Sequence, residues 1–328
     1  MKKLSNERGE EIFTQMSNAR LGVVGDLMLD RYVWGHVERM SPEAPVPVVT
    51  WQDESSNLGG AANVAANVKA LGADVQLFGI IGDDTDGECL MDLLEKRSFG
   101  TTGVVTVDDR PTIVKTRIIA NSQHIVRVDR EKINEIDDST QRKLIVRLRA
   151  ALGGVNCLII EDYNKGLLTP SFIKEIIASA NELGVKVAVD PKHKNFWDYK
   201  GATLFKPNLR ELAAALGRPV ETEKDLISAG KEVVERLELD YLLVTRGREG
   251  MALFNNGEVE FLQTRAHRVH DVSGAGDTVI ATIMTALASG ADILEAAILA
   301  NIAASIVIAE VGAVPVDFAE LRRLSFES

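Results

Sequence analysis

Residues His270-Asp271-Val272-Ser273-Gly274-Ala275-Gly276-Asp277-Thr278 form a glycine-rich stretch directly before the apolar run 279–288. The glycines predict a tight turn with several backbone N–H groups pointing one way, and the apolar run predicts a helix with partial positive charge at its start. Such a turn binds phosphate, and Asp277 at its edge is suited to accept a proton from a hydroxyl group. The stretch therefore indicates phosphoryl transfer to an alcohol. An ordinary helix start would explain the same residues without catalysis.

The composition narrows the class of protein. A chain of 328 residues can bury a large core, and a formal net charge of −11 opposes binding to nucleic acid or to an anionic membrane surface. The two cysteines, Cys89 and Cys157, lie in apolar surroundings, so we expect two buried thiols and neither a disulfide nor a zinc site. A polar amino terminus and the lack of a long uncharged stretch predict a cytoplasmic protein without a membrane span.

Strand and helix patterns alternate along most of the chain. Short apolar runs typical of buried strands occur at 21–25, 75–81, 104–107, 157–160, 185–189, 202–205 and 241–244. Amphipathic helical patterns separate most of these runs, which predicts βαβ units and a largely parallel sheet. Near the end of the series, Asn256-Gly257 predicts a hairpin. We therefore predict one α/β domain spanning 1–328.

Two segments depart from this alternation, at about 31–51 and 111–130. The first contains the proline-rich stretch 41–49, and proline excludes both a helix and pairing in the centre of a sheet. The second is rich in β-branched residues. We predict that the two form a small sheet, called the flap below, that covers a site or contacts a second subunit.

Polar and glycine positions near the amino terminus predict a ligand site. Asp26 and Asp30 follow an apolar run, so their carboxylates should lie at the carboxyl edge of the sheet, where sugar hydroxyls can bind; ordinary turn or cap carboxylates are the alternative. Gly59 and Gly60 open an alanine-rich helix and allow close approach of a ligand, with Asn63 one turn further on. A loop before a tightly packed helix is again the alternative.

These motifs together resemble those of the ribokinase-like carbohydrate kinases. The Gly-Gly-x-x-Asn motif matches at Gly59, Gly60 and Asn63, and the Asp-x-x-Gly-Ala-Gly-Asp motif matches at 271–277. The resemblance implies a mostly parallel doubly wound sheet with a small β-flap lid, and ATP and Mg²⁺ as cofactors. A narrower resemblance, to kinases of the anomeric hydroxyl of D-glycero-D-manno-heptose 7-phosphate in ADP-heptose and lipopolysaccharide biosynthesis, lies in the stretches 25–32, 41–49, 162–166 and 190–192.

The resemblance implies a role for each matching residue. Asp277 becomes the base, and the anion hole is formed by the backbone of Gly274, Ala275 and Gly276. The sugar is held by residues at matching positions, namely Asp30, Gly59, Gly60, Asn63 and Asp162. The nucleotide side and its metal ions are assigned to Asn208, Glu211, Thr245, Gly247 and Asp271. Of these, Asn208 and Glu211 hold Mg²⁺ through water, although the same pair reads equally as a helix capping box, and Asp271 holds a monovalent cation such as K⁺.

A phosphorylated sugar also needs cations. The candidates are basic residues from matching or flap positions, namely Lys192, Lys165, Arg117 and Arg127; solvated surface charges are the alternative.

We expect a homodimer, and, because the sequence ends at Ser328, a kinase without a nucleotidyltransferase domain. Another sugar or sugar phosphate is the alternative substrate. A non-catalytic sugar-binding relative is a further alternative, which the intact Asp277 and glycine turn oppose.

Overall fold

The computed structural model describes residues 4–121, 123–264, 269–310 and 312–327, which form a nine-stranded sheet and a four-stranded sheet. The strands in chain order are β1 (Arg20–Gly25), β2 (Leu27–Met40), β3 (Pro47–Gly60), β4 (Asp74–Gly82), β5 (Gly100–Val107), β6 (Ile113–Ala120), β7 (Gln123–Arg130), β8 (Cys157–Glu161), β9 (Lys186–Asp190), β10 (Leu204–Phe205), β11 (Tyr241–Thr245), β12 (Met251–Asn255) and β13 (Glu258–Leu262). The α-helices are α1 (Asn6–Met16), α2 (Ala61–Ala70), α3 (Thr85–Lys96), α4 (Asp138–Leu152), α5 (Pro170–Glu182), α6 (Leu209–Leu216), α7 (Glu223–Leu237), α8 (Ala275–Ala288), α9 (Ile293–Val307) and α10 (Phe318–Phe326).

The large sheet has the order β13-β12-β11-β10-β9-β8-β1-β4-β5, and neighbouring strands are parallel except in the pairs β11–β12 and β12–β13. The prediction of a mostly parallel doubly wound sheet is therefore confirmed. The hairpin turn between β12 and β13 is also where the sequence predicts it. Both of its central residues have positive φ, 49° at Asn256 and 80° at Gly257, as a tight two-residue hairpin requires.

Helices cover both faces of the large sheet. Successive residues of a strand point to opposite faces, so Val23 packs into one hydrophobic core with α2, α8 and α9, while Val24 packs into the other with α4 and α5. Burial on both faces explains why the central strands read as continuous apolar runs. Cys157 is buried, and burial raises the pKa of its thiol to about 12; Cys89, in contrast to the expectation, is only partly buried.

The small sheet is the predicted flap, with the order β3-β2-β6-β7. β3 lies at its edge, and the prolines of 41–49 fall in the bend between β2 and β3 or at the first residue of β3, as their missing N–H groups require. The flap strands are longer than the sequence predicts. They begin at Leu27 and continue to Gly60, and they therefore carry Asp30, Gly59 and Gly60; Ser122 lies outside the described residues.

Within the ranges that the structure describes, none of the helices combines the length and the apolar composition needed to cross a membrane.

Candidate functional site

The carboxyl edge of the large sheet aligns the site. Gly25, Glu161 and Asp190 pair in register across β1, β8 and β9. Because residues paired in a parallel sheet point to the same side, the carboxylates of Glu161 and Asp190 are neighbours although they are far apart in the sequence. Asp277, in the first turn of α8, completes a cluster in which one carboxylate oxygen from each residue lies within 4.8 Å of the others. We call Glu161, Asp190 and Asp277 the acidic cluster.

Glu161 is the member of the acidic cluster whose carboxylate has the fewest stabilising partners. Its side chain is completely buried, and neither carboxylate oxygen has a hydrogen-bond partner among the described residues. Burial, followed by the negative charges of Asp190 and Asp277, raises the pKa of Glu161 well above its ordinary value. A buried carboxylate with two free oxygens beside two further carboxylates is the set of hard ligands that Mg²⁺ prefers. The acidic cluster therefore fits a divalent cation.

Asp277 joins the two sequence motifs. Its Oδ2 accepts a hydrogen bond from Asn63 Nδ2 at 2.7 Å, and its Oδ1 accepts one from Tyr163 Oη at 3.0 Å. Burial raises the pKa of Asp277 to about 6, although the bond from Asn63 opposes this rise. The carboxylate is thus oriented by two donors and is poised to take up a proton near neutral pH.

The turn before α8 has the backbone that the sequence predicts. Gly274 caps the helix with φ of 76°, and a Cβ there would lie 3.1 Å from both Asn63 Nδ2 and Ala313 Cβ. The backbone N–H groups of Gly276 and Asp277 have no hydrogen-bond acceptor in the described part of the chain. The turn therefore offers two free donors at the positive end of a helix, beside the carboxylate of Asp277.

The paired glycines before α2 allow other parts of the same chain to approach closely. A Cβ on Gly59 would lie 2.8 Å from Asp30 Oδ2, and Gly60 has φ of 57° and packs against the backbone oxygen of Asp26. Asp26 in turn accepts hydrogen bonds from the backbone of Tyr163 at 2.9 Å and Lys165 at 3.1 Å. The glycines thus hold the base of the flap against the carboxyl edge of the sheet. Asp26 serves as a turn carboxylate, as the alternative interpretation predicts, and a contact of Asp26 with sugar stays a prediction.

Two lysines connect the acidic cluster to its surroundings. Lys206 Nζ is 2.7 Å from Asp190 Oδ2 and would lie 3.2 Å from a Cβ on Gly276, so it sits beneath the glycine turn. Lys192 Nζ is 3.1 Å from Glu211 Oε1. Burial alone would lower the pKa of Lys192, but Asp190 and Glu211 raise it above its ordinary value. Lys192 is therefore charged.

Four of the five predicted nucleotide-side residues lie near the ends of β10 and β11. Asn208 and Glu211 form a reciprocal capping box at the start of α6, with bonds of 2.9 Å and 2.8 Å. Asn208 also bridges to Thr245, and Gly247 turns the chain just beyond with φ of 57°. The capping box, which the sequence left as an equal alternative, is thus present. Mg²⁺ binding through water at Asn208 and Glu211 stays a prediction.

The remaining predicted residues already have partners. Three of the predicted cations pair with carboxylates: Arg117 with Asp30 at 2.7 Å and Arg127 with Asp129 at 2.8 Å in the flap, and Lys165 with Glu131 at 2.7 Å in the loop after β8. Asp162 is buried and accepts hydrogen bonds from Tyr199, Asn195 and the backbone of Asn164. Asp271 accepts bonds from the backbone of Ser273 at 2.9 Å and Gly312 at 3.1 Å. Their roles in binding substrate or K⁺ stay predictions.

The sequence interpretation gave no separate role to several residues of this site. Glu161, Asp190 and Lys206 each lie at the carboxyl end of a strand, and that position is a signal the sequence does carry. Tyr163 and Lys115 carry no comparable signal. Tyr163 contacts Asp277 only because the loop after β8 is tied back by Asp26, and Lys115 reaches Tyr163 only through the flap.

Comparison with known proteins identifies the family of the chain. A family model described as pfkB family carbohydrate kinase matches residues 18–317. The chain is 42% identical over 313 residues to the bifunctional protein HldE of Pelobacter propionicus, and 41% identical over 313 residues to that of Geobacter sulfurreducens. Each alignment covers 95% of this chain but only 64% of the relative, so the chain spans under two thirds of these curated relatives.

Solved structures share the fold at low sequence identity. Phosphofructokinase-2 from Escherichia coli in complex with potassium aligns with a TM-score of 0.79 at 19% identity, covering 94% of this chain and 98% of the other. Arabidopsis thaliana ribokinase complexed with ribose and ATP aligns with a TM-score of 0.73 at 22% identity, with the same coverage.

Proposed function

Because this chain belongs to the pfkB family of carbohydrate kinases, we propose that it transfers a phosphoryl group from ATP to the anomeric hydroxyl of D-glycero-D-manno-heptose 7-phosphate. Membership makes the chain a phosphotransferase with an alcohol group as acceptor. The choice of heptose rests on the stretches 25–32, 41–49, 162–166 and 190–192, and the identity to HldE proteins supports a shared function. The 1,7-bisphosphate product would serve ADP-heptose and lipopolysaccharide biosynthesis in the cytoplasm.

The observation that carries the kinase chemistry is the environment of Asp277. A carboxylate with pKa near 6, oriented by Asn63 and Tyr163, can accept the proton that the sugar hydroxyl loses as it attacks the phosphorus. Each oxygen of Asp277 accepts one hydrogen bond and keeps a lone pair for the substrate. The free N–H groups of Gly276 and Asp277 lie beside it and would stabilise the negative charge of the phosphoryl group in transit.

Mg²⁺ would be held by the acidic cluster. The two unpartnered oxygens of Glu161 and the neighbouring carboxylate of Asp190 support this assignment, and Lys206 already offsets part of their charge. When bound, Mg²⁺ would neutralise negative charge on the phosphate oxygens. Glu161 must lose its proton for binding, since metal ions compete with protons for carboxylates.

The nucleotide would lie toward the ends of β10 and β11. Thr245, Gly247 and Asn208 are adjacent there, and the reciprocal bonds of Asn208 and Glu211 fix this end of α6. Lys192, held by Glu211 beside Asp190, would face phosphate groups between the nucleotide and the acidic cluster. Asp271, which ties its own turn to Gly312, is the proposed contact to K⁺.

A coupled assay of ADP release over a panel of sugars tests the substrate. With heptose 7-phosphate we expect the largest kcat/KM of a panel that includes the unphosphorylated heptose, fructose 6-phosphate and ribose. The control is the same panel without added sugar, which measures ATP hydrolysis alone. Equal or faster turnover of another member would contradict the heptose assignment and favour a kinase for that sugar.

The flap also supports the proposal of a homodimer. Val33, Ile118 and Val126 share one row across β2, β6 and β7, and Val128 lies two residues along on the same face. Val126 and Val128 are 49% and 53% exposed, and an apolar face of this kind is typical of an interface.

Val128→Asp is expected to convert a dimer to a monomer, because it would bury an unpaired charge at the contact. Light scattering at matched concentrations measures the mass. Val146→Asp is the control, since Val146 is also exposed, at 66%, but lies on α4, outside the flap. A monomeric wild type, or a dimeric Val128→Asp variant, would contradict this interface.

A further inference from the structure

The flap holds a lysine for which the structure provides no carboxylate. Lys115 lies on β6 and pairs in register with Asp30 on β2 and Asp129 on β7. Even so, no carboxylate oxygen in the described ranges comes within 4.0 Å of its Nζ, and the side chain makes no hydrogen bond there. Asp30 and Asp129 instead pair with Arg117 and Arg127. Both carboxylates nearest to Lys115 in the sheet therefore already form ion pairs with arginines.

The other cations near the site differ from Lys115 in this respect. Each has a carboxylate at ion-pair distance, in the pairs Arg117–Asp30, Arg127–Asp129, Lys165–Glu131, Lys192–Glu211 and Lys206–Asp190. Lys115 is half-buried, so its ammonium group has lost part of its water without gaining a counter-ion. Burial lowers the pKa of Lys115, and the charges of Lys165 and Arg127 lower it further against the opposing effect of Asp30.

The position of Lys115 relates it directly to the reaction. Its Nζ lies 4.9 Å from the centre of the Tyr163 ring, and Lys192 Nζ lies 5.2 Å from the same ring. The hydroxyl group of that ring donates to Asp277. One aromatic side chain thus separates the unpaired ammonium group from the base, on the side of the site that the flap covers.

We propose that Lys115 binds the phosphate group that the sugar substrate already carries. The phosphate would take the place that a carboxylate occupies beside each of the other five cations, through charge-assisted hydrogen bonds. This inference rests on the proposed function, because it requires a phosphorylated sugar. It makes Lys115 the residue that discriminates a sugar phosphate from the plain sugar, ahead of Arg117, Arg127, Lys165 and Lys192, whose charges are already compensated.

Lys115→Met should raise KM for heptose 7-phosphate by about 10- to 100-fold, the range expected on losing one charged hydrogen bond. KM for ATP, and kcat/KM for the unphosphorylated heptose, should stay unchanged, because the lost contact involves only the remote phosphate. Lys115→Arg should recover part of the affinity. Lys200→Met is the matched control, since Lys200 is paired with Glu238 at 2.8 Å on the surface.

Thermal unfolding separates this role from a structural one. Removing a half-buried, unpaired charge should leave the Tm of Lys115→Met equal to or above that of the wild type. If Lys115 served only to pack against Tyr163, Tm would fall, and KM for the heptose with and without phosphate would change together. That result would overturn the inference.

Calorimetric titration with heptose 7-phosphate in the absence of ATP distinguishes the remaining outcomes. A wild type that binds and phosphorylates this sugar, with an unchanged Kd and KM in Lys115→Met, overturns the inference and leaves the proposed function standing. A wild type that acts only on sugars without a phosphate overturns the proposed function and the inference with it. A higher Kd confined to Lys115→Met, with Lys200→Met normal, supports both.

Discussion

Asp277→Asn is expected to lower kcat by about 10²- to 10⁴-fold, the usual cost of losing a general base. Asparagine keeps the shape of the side chain, and it can still accept a hydrogen bond from Asn63 or Tyr163, but it cannot take up the proton of the sugar hydroxyl. ATP binding and the Tm should change little. Steady-state turnover with saturating sugar and ATP measures the loss. Asp292→Asn is the control, because Asp292 also starts a helix but is exposed and serves as the cap of α9.

The pH dependence gives this prediction a second readout. The pKa of Asp277 is raised to about 6, so the fraction in the charged, proton-accepting form falls as the pH drops through that value. For the wild type, kcat/KM should therefore decline tenfold per pH unit below about pH 6. The residual activity of Asp277→Asn should lack this decline. Wild-type turnover in Asp277→Asn, or an unchanged acidic limb, would show that Asp277 is not the base.

Glu161→Gln should weaken Mg²⁺ binding by at least about 10- to 100-fold, since that is the typical loss when even an outer partner of a metal site is removed. The neutral amide retains the size of the side chain but removes one negative ligand from the acidic cluster. Calorimetric titration with Mg²⁺, and with Mn²⁺ as a spectroscopic substitute, measures the affinity. Glu135→Gln is the control, because Glu135 is exposed and paired with Lys194 at 2.7 Å.

The same substitution should stabilise the protein when no metal is bound. The pKa of Glu161 is raised in the folded state, so the folded protein holds this proton more tightly than the unfolded chain, and stability falls as the pH rises above the ordinary pKa of glutamate. At neutral pH, Glu161→Gln should therefore raise the free energy of unfolding, because the neutral amide does not have to take up a proton when the chain folds. Unchanged Mg²⁺ affinity in Glu161→Gln, with a loss in Glu211→Gln, would instead locate the metal at the sequence-predicted pair.

Much of the fold could be predicted because the signals are local. Continuous apolar runs indicate strands buried on both faces, the Asn256-Gly257 dipeptide specifies a hairpin, and prolines in 41–49 confine β3 to an edge. The same holds for the glycine turn before α8, since the positive φ of Gly274 is a property of that residue and its neighbours. The family resemblance also assigns the motifs of Asn63 and Asp277 to one site, but the hydrogen bond between the two side chains was not predicted.

Relations between distant residues depended on the tertiary structure. Glu161 and Asp190 are adjacent because β8 and β9 pair in a particular register, and no local pattern specifies the register of two parallel strands. The capping box at Asn208 and the metal reading use the same two residues, so only the observed hydrogen bonds could establish the cap. Whether the charge of a lysine has a carboxylate partner likewise depends on which side chains the tertiary structure places beside it. Arg117 and Lys115 are two residues apart on one strand, yet one has a carboxylate partner and the other has none in the described structure, because the nearest carboxylates pair with other cations.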